Sequence, residues 1–102
     1  MYDMKQIKKL PKLGSKAPEA WAAFQALDSA ALADGAIPKK YKELIALAVA
    51  MTTQCPYCLE IHKGAAVAAG ATEEELSETA FVAAALRAGA AVVHGLHLID
   101  ED

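Results

Sequence analysis

The stretch Cys55-Pro56-Tyr57-Cys58-Leu59-Glu60-Ile61-His62-Lys63-Gly64-Ala65-Ala66-Val67-Ala68-Ala69-Gly70 decides how the rest of the chain is read. Proline suits the first position of a helix, where its missing N–H costs nothing, so Pro56 predicts a helix start with Cys55 as N-cap. Gly70 supplies the left-handed residue that ends such a helix. Cys55 and Cys58 are the only cysteines. At a helix N-terminus the unpaired N–H groups and the dipole favour negative charge on either sulfur. Positions three apart on a helix are neighbours, about 5–6 Å between β-carbons, close enough for a disulfide after modest adjustment. His62 follows Cys58 by one turn and projects back over it, placed to accept its proton or to stabilise a thiolate as an imidazolium.

Outward from this segment the chain reads as helices with short punctuation, without strand-like alternation. Residues 1–14 form an irregular or partly helical lead-in. A first helix starts at Ser15 ahead of Pro18, carries Trp21, Phe24, Leu27 and Ala31 on one face, and ends near Asp34-Gly35. Pro38 opens a second, apolar nearly all round through Leu44, Ile45, Leu47, Val49 and Met51, which predicts burial between neighbours and a second subunit. Thr72-Glu73-Glu74-Glu75 has the form of a capping box and starts a last helix running to about Val93, with Gly89 expected at a close helix crossing. His94 to Ile99 either extends it or folds back, and Asp100-Glu101-Asp102 makes an acidic tail.

The 102 residues read as one domain, 1–102, of which 55% are hydrophobic and 23% charged. So small a body cannot hide that apolar share, so an obligate homo-oligomer is expected. A net charge of −3 without a basic stripe gives nucleic-acid binding no support. The apolar run from Ala80 to Val93, interrupted by Arg87, reads as too short for a bilayer. With no apolar signal at the start and two cysteines three apart, a reducing cytoplasm is the expected compartment, where their disulfide would be transient.

Taken alone, these residues leave three readings: buried small hydrophobes with a core histidine, a redox pair, or a zinc site. The last would use Cys55, Cys58 and His62, with a fourth ligand from Glu43 or a neighbouring chain. Structural zinc sites usually draw a second ligand pair from a distant knuckle, and only His94 and His97 could serve. Those two read as a wet helix end, and Lys63 as a solvent-facing residue.

A glutamate, Cys-x-x-Cys twelve residues later and a histidine four beyond form the pattern Glu43, Cys55, Cys58, His62. With Glu43-Leu44-Ile45-Ala46-Leu47-Ala48 before the cysteines and His62-Lys63-Gly64-Ala65-Ala66 and Gly70-Ala71-Thr72 after them, the chain from Pro38 to Ala91 resembles the carboxymuconolactone decarboxylase-like family. Within it the pattern is similar to the alkylhydroperoxidase AhpD-like branch.

The resemblance implies an all-α helical bundle assembled as dimers, trimers or hexamers, acting as a thiol-dependent peroxidase without a cofactor. It implies that Cys58 attacks the hydroperoxide, Cys55 resolves the sulfenic acid, His62 takes the thiol proton and Glu43 holds and recharges His62. An external dithiol or disulfide reductase would restore the pair. The best-known relatives keep a histidine between the cysteines, where this chain has Tyr57. The true decarboxylase branch lacks the cysteine pair, so lactone decarboxylation is disfavoured. A thiol-disulfide oxidoreductase, or a zinc-binding or redox-sensing oligomer, is the alternative. Ideal antiparallel helices would set Glu43 and His62 roughly 6 Å out of register, a gap for helix tilt or one water to close. Otherwise Glu43 would be a surface acid paired with Lys39 or Lys40.

Overall fold

Two residues separate the pair of helices on which everything else is hung. In the computed structural model, which describes residues 3–102, helix α3 spans Lys39–Thr53 and helix α4 spans Pro56–Ala68. Gln54 adopts the left-handed conformation (φ 56°) and returns its N–H to the Ala50 carbonyl, which also accepts from Cys55 N–H at 3.0 Å. That left-handed residue closes α3 and turns the chain back, and Pro56 restarts it at once.

The remaining helices are α1 (Leu10–Ser15), α2 (Pro18–Leu32) and α5 (Glu73–His94), with 3-10 segments at Met4–Lys9 and Gly95–Leu98. No strand occurs among the described residues. The lead-in is therefore helical from Met4 onward, Met1 and Tyr2 lying outside the described residues. Ser15 does not cap α2. It ends α1, where its hydroxyl donates to the Lys12 carbonyl at 2.7 Å, and α2 begins at Pro18.

α2 also ends earlier than its composition suggests, at Leu32. Lysines reach back from α3 to its terminal carbonyls, Lys42 Nζ to Ala33 O at 2.7 Å and Lys39 Nζ to Leu32 O at 3.4 Å. Cations at a helix C-terminus satisfy orphan carbonyls and suit the dipole. Asp34 then accepts from the Lys39 N–H at 2.6 Å and fixes the entry to α3.

α3 is the central element, packed by α4 on one side and α5 on another. Among the described residues the buried apolar ones are Leu47 and Ala50 of α3, Ala66 of α4 and Ala83 of α5, and the three alanines let the backbones approach. Gly89 is not at such a crossing: nothing lies within 4 Å of where its β-carbon would be. Gly14, by contrast, is required, because a β-carbon there would sit 2.6 Å from the Trp21 ring. The capping box at the start of α5 is complete. Thr72 Oγ1 accepts from Glu75 N–H at 3.1 Å, Glu75 Oε1 accepts from Thr72 N–H at 2.9 Å, and Glu75 Oε2 meets Lys40 Nζ at 2.9 Å.

So little of the chain is covered that its shape becomes informative. The radius of gyration is 17.2 Å, against about 13 Å for a compact chain of this length. Tyr41, Ile45 and Val49 leave one face of α3 open, and α5 exposes Phe81, Val82, Leu86, Val92 and Val93. With its 3-10 extension, Glu73–Leu98 is a helix long and apolar enough to cross a membrane by length and composition, which corrects the shorter span expected from sequence. Arg87 interrupts this surface near its middle.

Candidate active site

The start of α4 has the helix geometry expected of it. Pro56 is the first helical residue, Cys55 is the N-cap, and Cys55 Sγ accepts the Cys58 N–H at 3.2 Å. Cys55 and Cys58 are joined as a disulfide with their α-carbons 5.3 Å apart. Cys58 and its neighbour Tyr57 are half-buried and line a cavity.

One turn further along α4, His62 meets Glu43 of α3, Nδ1 to Oε2, at 2.6 Å. The offset expected between ideal antiparallel helices is thus closed by direct contact, without a bridging water. Glu43 is not a surface acid: it is 2% exposed, the most buried polar side chain among the described residues. Its second oxygen, Oε1, accepts from Lys39 Nζ at 3.0 Å, while Lys40 goes to Glu75 instead.

Burial pushes the Glu43 carboxyl up, but the hydrogen bonds from His62 and Lys39, with their charges, outweigh it and hold it below its ordinary value. It is therefore ionised at neutral pH. A carboxylate can only accept, so His62 Nδ1 must carry the proton. In the neutral ring this leaves Nε2 as the free base, with its lone pair away from Glu43. His62 and Cys58 line the same cavity, so the imidazole and the sulfur share one compartment.

That cavity has a volume of about 520 Å³ and lies between α2, α4 and the lead-in. Trp21 and Phe24 of α2 form one wall, stacked with ring centroids 5.8 Å apart. The sequence placed both on one face of their helix. Here Trp21 is half-buried over Gly14 and Phe24 is 56% exposed, both facing the sulfur's compartment. Asp28 was not singled out by sequence, since a lone acid on a solvated helix carries no signal, yet it lines this cavity and a smaller one behind His62.

His94 and His97 pair edge-to-face at 5.0 Å at the far end of α5 and line neither cavity. Lys63 is exposed. Among the described residues no three histidine, cysteine or acidic side chains are grouped to hold a metal ion. Glu43, the fourth ligand considered for zinc, already has both oxygens engaged by His62 and Lys39.

The chain is all-helical, with a cysteine pair at a helix start and a carboxylate–imidazole pair behind it. The carboxymuconolactone decarboxylase family model matches residues 18–101, and the chain belongs to that family. A carboxymuconolactone decarboxylase family protein from Legionella pneumophila, solved in its apo form, superposes with a TM-score of 0.77 at 43% identity, over 81% of this chain and 75% of its own. A structure from Methanobacterium thermoautotrophicum gives 0.79 at 32% identity, over 84% and 97%. In sequence, the "uncharacterized protein 4 in cox locus" of Paracoccus denitrificans is 50% identical over 82 residues, 78% of this chain and 74% of its own. An uncharacterised protein of Cupriavidus necator is 42% identical over 66 residues, 65% and 58%.

Proposed function

We propose that the chain is a thiol-dependent peroxidase of the AhpD-like kind, reducing hydroperoxides through Cys58 and Cys55. The observation that carries this reading is the buried Glu43–His62 hydrogen bond behind a cysteine pair at a helix N-terminus. A decarboxylase would have no use for two sulfurs that can close on each other. A purely structural disulfide would have no use for a buried, ionised carboxylate orienting a histidine toward the same compartment.

The reaction runs as follows. In the reduced protein His62 Nε2 takes the Cys58 proton, and Glu43 stabilises the resulting imidazolium. The Cys58 thiolate attacks the distal oxygen of the hydroperoxide; the S–O bond forms as the O–O bond breaks. The departing alkoxide takes the proton from His62 and leaves as the alcohol. The Cys55 thiol then attacks the Cys58 sulfenic acid, forming the disulfide and releasing water. Two electrons from an external dithiol or disulfide reductase return both sulfurs to thiols. Tyr57 shapes the pocket where relatives place a histidine.

The working unit in this reading is a homo-oligomer, supported by the open apolar faces of α3 and α5 and by the extended shape. A reducing compartment such as the cytoplasm suits a disulfide that must be recycled.

The test is a titration of thiols in the reduced protein after one equivalent of hydroperoxide. Rapid loss of two thiols per chain, abolished in Cys58→Ser, is expected. Loss with disulfide substrates alone would make the protein a thiol-disulfide oxidoreductase. Stoichiometric zinc with unreactive thiols would overturn both.

A further inference from the structure

We propose that Asp28, on the wall of the cavity beside Cys58, makes the site disfavour hydroperoxides bearing a carboxylate relative to uncharged ones of the same shape. The inference rests on the peroxidase reading and adds to it a residue that discriminates among substrates by charge.

At about 520 Å³ the cavity is of the size that holds small organic molecules, far more than hydrogen peroxide needs. Its walls are Trp21, Phe24, Tyr57 and Ile61, with Ile7 and Leu10 closing it from the lead-in. The stacked Trp21 and Phe24 rings offer a broad apolar wall to an aryl or branched alkyl group. The polar groups Gln6, Gln25 and Ser29 are uncharged.

The charges decide the rest. The ionisable groups lining the cavity are Asp28, Tyr57, Cys58 and His62, with Lys39 and Glu43 directly behind His62. In the reactive state Lys39 and a protonated His62 are balanced by Glu43 and the Cys58 thiolate. Asp28 is then a surplus negative charge on the wall. Lys39 cannot easily serve an incoming anion, because its ammonium is held by Glu43 at 3.0 Å and reaches Leu32 O at 3.4 Å. A substrate carboxylate would therefore shed part of its water in this partly open cavity, gain no cation and face the exposed Asp28. An uncharged hydroperoxide meets none of these penalties.

The experiment compares cumene hydroperoxide with its para-carboxylate, two substrates of one shape. Second-order rate constants for thiol loss in the reduced protein are divided by those for a small free thiol, which removes intrinsic reactivity. The uncharged substrate is expected to react at least about tenfold faster. Asp28→Asn should shrink that ratio, and Asp28→Lys should shrink it further or reverse it. Binding of the two product alcohols, followed through the fluorescence of Trp21, the sole tryptophan, should show the same order without any chemistry. Equal normalised rates, equal alcohol binding, or a ratio indifferent to both Asp28 substitutions would overturn the inference and leave the peroxidase reading standing. Failure of every hydroperoxide, hydrogen peroxide included, to consume thiols would overturn the reading beneath it and the inference with it.

Discussion

Replacing Glu43 by glutamine keeps the side chain's shape and removes its charge, so it isolates what the carboxylate does. Glutamine can offer its single carbonyl oxygen to one partner, His62 or Lys39, and must turn its NH₂ toward the other, donor against donor. A hydrogen bond to a charged group contributes about 1.5–3 kcal/mol. The Lys39 side chain is 46% exposed and can return to water, so its share is about 0.2–1 kcal/mol. Against these stands the relief of no longer burying an anion at 2% exposure, which returns part of the loss. The net destabilisation should be about 2 kcal/mol, or a melting temperature lower by about 10 °C at fixed protein concentration. The chemical consequence is larger. Without an acceptor-only partner the His62 proton is no longer confined to Nδ1, and Nε2 is no longer reliably the base. The reaction of reduced protein with hydroperoxide, followed by stopped-flow thiol loss at neutral pH, should slow about 10²-fold. Lys39→Met is the companion measurement, since it removes the carboxylate's other partner and leaves His62 in place. It should cost under about 1 kcal/mol and only a small part of the rate. A Glu43→Gln protein that is destabilised yet reacts within twofold of wild type would show that the carboxylate only holds the helices together, and would refute the relay.

Three other outcomes are expected. Cys55→Ser should react once with hydroperoxide and then stall as a sulfenic acid that a dimedone-type probe traps; prompt loss of the probe's target without over-oxidation would point to another resolving group. Because the Glu43 carboxyl lies below its ordinary 4.5 in the fold, its pairing adds stability above that pH, lost as pH falls through the lowered folded value. Unfolding midpoints measured from pH 7 downward should therefore fall more steeply in wild type than in Glu43→Gln, and parallel curves would contradict this. Finally, sedimentation should give a multiple of the 10.7 kDa chain mass, reduced by glutamate at the exposed Phe81 and Val92 of α5. A wild-type monomer at micromolar concentration would remove the oligomer from the proposal.

The legible parts of this molecule were those written in a few adjacent residues. Cys55-Pro56 announces a capped helix start because a fixed φ and a missing N–H act locally, and Thr72 with Glu75 does the same for α5. The stop of α2 at Leu32 was not legible, since lysines seven and nine residues from the carbonyls they bind help set it. The residues Glu43 and His62 were identifiable, but their contact was not, because an axial offset from ideal helices says nothing about how two helices incline. Burial separates a relay carboxylate from a surface acid, and burial belongs to the packed state. The cavity was the least legible part. Trp21, Phe24 and Asp28 line the cavity of Cys58 through the packing of α2, which Gly14 meets at Trp21 and Lys39 and Lys42 tie to α3, and no local pattern in α2 records that.

The arrangement at the start of α4 has one more consequence. Cys55 and Cys58 lie within a single helical turn, α-carbons 5.3 Å apart, within the range that disulfides span. In the proposed cycle an oxidised sulfur on Cys58 would find its resolver without any segment uncoiling or crossing the molecule. The interval in which a second oxidant molecule could catch that sulfur is limited by bond formation rather than by chain motion. Proteins whose resolving cysteine arrives from afar must wait for a rearrangement, and are exposed to irreversible oxidation while they wait. Under the proposed reaction, the safeguard against over-oxidation here would be one turn of helix.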